Sequence, residues 1–229
     1  MKTKIFIACD TTNLKKLNNI IKNTQTNNLK IGYKFGLEFF YSPRGRIFIS
    51  NIKKKEIFLD LKLNDIPNTC AAAINAIKDL KNINYITVHI SGGQEMLKAI
   101  KKTSKSINKK IKILGVTVLT SLSNKSIKKV GHTRSIKDIV IKQAALAKSV
   151  KLDGIVCSGH EAKYIKKICK NMEIFTPGIR LPGDSKGDQN RVMSPKKSIK
   201  NGATSLVMGR SITTGNIKKN IQKLILSMK

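Results

Sequence analysis

Acidic side chains are scarce in this chain, 13 against 45 Lys and Arg, so an acid placed beside a lysine in an apolar run is informative. Asp60 and Lys62 stand two apart in Ile57-Phe58-Leu59-Asp60-Leu61-Lys62-Leu63, with Asp65 just beyond. On a strand, residues two apart project from the same face, so the acid and the lysine would point together. A lysine flanked by carboxylates is held as an ammonium, because opposite charge nearby favours the charged form. That suits Lys62 to donating a proton to a carbanion; a Schiff-base lysine would need desolvation or a cationic neighbour instead. A plain surface ion pair is the competing explanation. Asp10 and Lys34 weigh against it, because each stands at the end of its own β-branched run and converges with Asp60, Lys62 and Asp65 on one face.

A second chemistry is suggested near the carboxyl end. Pro177-Gly178-Ile179-Arg180 and Gly209-Arg210 each follow a short apolar run, and glycine next to arginine suits an anion: backbone N–H groups approach closely and the guanidinium offers a fork. Only six of the 45 basic residues are Arg, so two at such positions suggest that fork geometry matters. A structural role at a helix terminus is the alternative.

The elements that must hold these groups alternate short β-branched runs with longer segments of helical period. The strands predicted are 5–9, 29–33, 57–61, 85–90, 111–118, 154–157, 173–176 and 205–208, with helices over 69–80, 94–105, 136–149, 161–170, 195–201 and 217–228. Eight such units predict an α/β fold, a (β/α)8 TIM barrel in which residues 1–229 form a single domain, with a doubly wound sheet as the alternative. Both chemistries then fall at the carboxyl ends of strands, where barrels build their sites. Tyr41 to Asn51, with Pro43 and Gly45, predicts only a short second helix after Gly45. Pro177 to Asn190 is a long loop with the character of a lid.

The 229 residues, 40% of them apolar, suffice for one large core, and the net charge is +32. Of the basic residues 39 are Lys, and Ile and Asn are also over-used, the bias expected when A/T-rich codons drift into tolerant surface positions. Cys9, Cys70, Cys157 and Cys169 are scattered, which predicts reduced, buried thiols rather than a zinc site or disulfides. The apolar stretch before Asp10 is too short for a signal peptide and no run is long enough to span a bilayer, so a soluble, cytoplasmic protein is expected.

Leu59-Asp60-Leu61-Lys62-Leu63-Asn64-Asp65-Ile66-Pro67-Asn68-Thr69 closely resembles the D-x-K-x-x-D-I-P-N-T signature of the orotidine 5′-phosphate decarboxylase family. The likeness continues in order through Ala8-Cys9-Asp10, Lys34-Phe35-Gly36, Val88 to Gly93, Val116 to Ser121, Asp153 to Ser158, Thr176 to Arg180, Gly187-Asp188-Gln189 and Met208-Gly209-Arg210. The resemblance implies a carboxy-lyase of de novo pyrimidine biosynthesis that converts orotidine 5′-phosphate to UMP and CO2 without a cofactor or metal. It implies that Lys62 protonates C6 within an array of Lys34, Asp60, Lys62 and Asp65, and that Asp60 faces the substrate carboxylate. By the same resemblance Asp10 and Lys34 meet the ribose hydroxyls, and Thr120 borders base and ribose. It further implies that Arg180, Gln189, Gly209 and Arg210 hold the phosphate, that Asp65 and Thr69 reach into a partner's site in a homodimer, and that either Ser121 or Ser123 contacts the pyrimidine edge. Cys9, Phe35 and Pro43-Arg44-Gly45 depart from the family's usual residues, which bears on local packing.

Two other functions compete. A metal-dependent sugar-phosphate lyase on the same barrel is opposed by the lack of a Glu at the proposed metal-bearing face and by the Pro67-Asn68-Thr69 and Gln189 elements. A basic nucleic-acid-binding protein would use the +32 charge. However, the lysines are spread along the chain without an aromatic-interleaved patch, and there are only seven Phe and four Tyr. Neither a specific nucleic acid nor a membrane partner is expected. His89 is read as a hydrogen-bonded inner-barrel histidine, and His132 and His160 lack metal-ligand spacing.

Overall fold

The computed structural model describes residues 3–185, 187 and 191–228. Strands β1 (Lys4–Ala8), β2 (Lys30–Gly36), β3 (Glu56–Leu63), β4 (Ile83–His89), β5 (Lys112–Val116), β6 (Gly154–Val156), β7 (Glu173–Thr176) and β8 (Ser205–Met208) close into a parallel barrel in chain order, with β8 pairing back on β1. Helices cross back outside, as parallel pairing demands. The helices Ile136–Ser149 and Ile217–Met228 have the bounds that the apolar period predicts. The helix expected over 69–80 instead runs Pro67–Asn75, since proline suits the first helical turn, where its missing N–H has no partner to lose.

β2 runs to Gly36 rather than stopping at Tyr33. Lys34 therefore sits within the strand, paired with Ala8 on β1 and Phe58 on β3. The awkward stretch after β2 forms two short helices, Leu37–Phe40 and Gly45–Ser50. Gly45 is needed there, because a Cβ would lie 1.9 Å from the Phe39 carbonyl oxygen. Phe35 packs against Phe39 with ring centroids 5.3 Å apart, filling the space under this irregular connection.

Alternation along the strands divides the apolar residues into two cores. Ile5, Ile7, Tyr33, Leu59, Ile86, Ile113 and their neighbours face the helices. Phe6, Phe58, Tyr85, Leu114, Phe175 and Val207 fill the barrel itself. Phe6, Tyr85 and Phe175 meet at centroid distances of 5.0 to 5.4 Å and plug the amino end. The remaining interior space is thereby confined to the carboxyl end. β2 makes room for the plug with Gly32, where a Cβ would stand 2.6 Å from Phe6 Cε1. Gly32→Ala should therefore destabilise the fold by about 1 to 3 kcal/mol through overpacking, read as a lower urea midpoint at unchanged slope.

Candidate active site

The carboxyl ends of the strands enclose a cavity of about 290 Å³. Phe58, Val116, Val156 and Val207 form apolar wall, Asp10, Lys34, Asp60 and Lys62 line one side, and Arg180, Gly209 and Arg210 also face in. The charged side is a continuous chain of ion pairs. Lys34 Nζ lies 3.0 Å from Asp10 Oδ1 and 3.4 Å from Asp60 Oδ2, and Lys62 Nζ lies 2.9 Å from that same Oδ2. The other oxygen, Asp60 Oδ1, accepts a hydrogen bond from the Thr87 hydroxyl at 2.9 Å.

Burial alone would raise the Asp60 pKa, but Lys34 and Lys62 together with hydrogen bonds from Lys62 and Thr87 hold it below the ordinary 3.8. For Lys34 burial pulls the pKa down, and Asp60 and Asp10 outweigh it and lift the ammonium above the ordinary 10.5. The buried members of the array are thus charged because of one another.

Simple alternation does not explain how Asp60 and Lys62 come to share a face. Leu59 pairs with Ile86 and Leu63 with Val88, so Asp60, Leu61 and Lys62 stand against Thr87 alone. Lys62 absorbs this bulge with φ +49°, a left-handed conformation uncommon for a side chain of its kind. Its backbone N–H donates to Thr87 Oγ1 at 3.0 Å. Thr87 is absent from the sequence-level argument because an inward threonine on a strand is ordinary.

The end of the cavity expected to bind an anion is built from the loops after β7 and β8. Arg180 N donates to Met193 O and Met193 N to Gly178 O, so the two roots of the long loop are zipped together. Arg180 also donates from Nε to Ser185 O at 3.1 Å, bracing the loop from within. Gly187, at φ +59°, comes so near Arg210 that a Cβ would lie 3.0 Å from its Nη1. A further brace was not foreseen: Arg191 pairs with the buried Glu161 at 2.6 Å and donates to the Val118 and Leu119 carbonyls at 3.1 and 3.0 Å. It joins the loops after β5, β6 and β7, and its only signal in the sequence is an arginine in a lysine-rich chain.

Thr120 and Ser121 line the cavity. Ser123 is not among the lining residues, and its hydroxyl instead caps the helix Asn124–Lys129 in a reciprocal box with Ser126. Within a single chain, Asp65 and Thr69 are exposed outside the cavity. Gln189 lies outside the described residues. His89 ends β4 half-buried, and burial first and Lys62 second lower its pKa from 6.5. The hydrogen bond expected for its ring is not made among the described residues.

The array carries a pH signature. Unfolded, Asp60 binds its proton near pH 3.8; folded, only at lower pH, so stability falls as pH drops through that interval. The stability difference between wild type and Asp60→Asn, from urea unfolding, should hold constant down to about pH 5 and shrink below about pH 4.

Residues 3–222 match the family model described as orotidine 5′-phosphate decarboxylase / HUMPS family. The chain is 44% identical over 228 residues to the orotidine 5′-phosphate decarboxylase of Wolbachia sp. subsp. Brugia malayi, covering 97% of each chain. It is 39% identical over 232 residues to that of Fusobacterium nucleatum, covering 100% of this chain and 96% of the relative. A crystal structure of orotidine 5′-phosphate decarboxylase from Lactobacillus acidophilus superposes with a TM-score of 0.84 at 29% identity, covering 99% of both chains.

Proposed function

The chain belongs to the orotidine 5′-phosphate decarboxylase family and is a carboxy-lyase that converts orotidine 5′-phosphate to UMP and CO2; we propose that Lys62 supplies the proton, without a cofactor, in a site shared by two copies. The observation that carries this reading is the pair of ammonium groups on one buried carboxylate oxygen, Lys62 at 2.9 Å and Lys34 at 3.4 Å from Asp60 Oδ2. Loss of CO2 leaves an electron pair at C6 that the ring delocalises poorly. An ammonium beside that carbon opposes the charge as it develops and then delivers the proton, which is work a metal or cofactor would otherwise do. Asp60 faces the departing carboxylate, and its repulsion ends when neutral CO2 leaves. The full Coulomb term, on the order of 4 kcal/mol at 4 Å and a dielectric of 20, overstates this stress because two lysines already share the Asp60 charge.

Asp10 and Lys34 take the ribose hydroxyls, with Thr120 at the border of base and ribose and Ser121 the serine placed to meet the pyrimidine edge. Arg180, Gln189, Gly209 and Arg210 take the phosphate. Binding energy from that remote group is realised in closure over the ring, so Arg210→Ala should lower kcat as well as raise KM.

Two observations support the shared site. A smaller cavity of about 220 Å³ contains Asp10, Lys34, Asp60 and Lys62 and opens toward Gly36, Leu37 and Glu38. Of the large apolar side chains exposed among the described residues, Leu37, Tyr41, Ile47 and Ile66 lie on the connections flanking β3, beside Asp65. A second copy docked on this face would cover them and bring Asp65 and Thr69 to its neighbour's array. Residues 1–229 act as one domain, and the buried free thiols Cys9, Cys70, Cys157 and Cys169 suit a reducing cytoplasm. Among the described residues no helix is long and apolar enough to cross a membrane.

The test is loss of pyrimidine absorbance and release of CO2 from orotidine 5′-phosphate in the presence of a chelator. Wild type should turn over rapidly and Lys62→Ala should be nearly inactive; a normally active Lys62→Ala would overturn the mechanism. Mixing Asp65→Ala with Lys62→Ala subunits should restore activity, since one of the two sites in a mixed dimer is then intact. No recovery in verified mixed dimers would refute sharing.

A further inference from the structure

We propose that Thr87 is a positioning residue for the decarboxylation: through one hydroxyl it directs the Asp60 carboxylate and seats the backbone of Lys62. The inference rests on the reading of Asp60 and Lys62 as the reacting pair. Thr87 is fully buried on β4 and does not line the cavity, so it acts only through its neighbours.

The hydrogen-bond arithmetic leaves the hydroxyl a single orientation. Its oxygen accepts the Lys62 N–H at 3.0 Å, and a backbone amide can only donate. Its one proton is then directed to the remaining polar neighbour, Asp60 Oδ1 at 2.9 Å, which is an ionised acceptor. With Oδ1 held by Thr87, Oδ2 is the oxygen left to receive both ammonium groups. The same bond meets the Lys62 amide where three residues of β3 oppose one of β4 and the regular register is lost. Lys62 adopts φ +49° at that point, a conformation that persists only when its surroundings impose it. One hydroxyl therefore couples the acid's rotation to the lysine's backbone.

Thr87→Val keeps the β-branched shape and removes both bonds. It should lower kcat by roughly 10- to 100-fold, the scale for a reacting group displaced by about 1 Å, while KM changes by less than about threefold. Thr87→Ser restores the hydroxyl and should recover kcat to within about threefold of wild type. Thermal melting of each variant accompanies the kinetics, and should Thr87→Val fail to fold, Thr87→Cys, close in shape but a weak donor, is judged by the same split. A folded Val or Cys variant with wild-type kcat, or a Ser variant as slow as Val, overturns the proposal. Lys62→Ala measured in parallel separates the two levels. If it is inactive while Thr87→Val is normal, only the positioning role falls; if it is active, the underlying assignment falls and this role with it.

Discussion

The structure depends on one buried carboxylate held between two ammonium groups. Asp60 alone in this position would be driven toward its neutral form by desolvation, and Lys34 alone would lose its proton for the same reason. Each charge is tenable because the other lies about one hydrogen-bond length away. The arrangement needs side chains from β2 and β3 and, through Asp10, the segment after β1 to converge within a few ångströms. A closed parallel barrel supplies that convergence, because inward residues of neighbouring strands meet at its carboxyl rim. Asp10, Lys34, Asp60 and Lys62 together carry no net charge. On the proposed reading, what the array itself offers a reacting carbon is the nearness of one ammonium rather than an excess of positive charge.

The rest of the cavity follows from how the barrel is filled. Phe6, Tyr85 and Phe175 occupy the amino end so fully that β2 carries a glycine there. Space is left only at the other end, between the ionic array and the arginines of the last two loops. On the proposed reading binding and chemistry are thus separated across one pocket, the geometry a remote anion needs to drive closure around a reacting ring. The Arg191 brace ties the loops after β5, β6 and β7 into one rim, next to Thr120 and Ser121 in the chain.

Much of this is legible in the amino-acid sequence. Six of the charged and glycine positions at strand ends, Asp10, Lys34, Asp60, Lys62, Gly209 and Arg210, do face one cavity, because barrel closure gathers the carboxyl ends of the strands at one rim. The misses have a common cause. β2 ends later than its apolar run because Lys34, although charged, is an interior residue of the strand. The shared face of Asp60 and Lys62 comes from a bulge and a left-handed lysine, which depend on what β4 places opposite. Ser121 and Ser123 look alike as residues, and only the capping box shows that one of them is occupied. Thr87, Glu161 and Arg191 act through partners far away in sequence, so no local pattern marks them. Asp65 and Thr69 are exposed outside their own chain's cavity, so their part in a site rests on the proposed second copy.

The +32 charge and the array operate on different length scales, and this explains how they coexist. Exposed lysines interact with one another and with solutes over distances that salt screens beyond about 8 to 10 Å. The array works at about 3 Å around the largely buried Lys34 and Asp60, where screening has less purchase than at its exposed edge on Asp10. Lysine can therefore accumulate on the outer helices with little effect on the interior balance, provided the few acids are kept where they pair. The structure follows that rule beyond the site as well: Glu56 meets Lys4, Asp153 meets Lys101, Glu173 meets Lys112 and Glu161 meets Arg191. In each of these pairs the two charges are in direct contact, so the balance is struck locally whatever the lysine-rich surface carries.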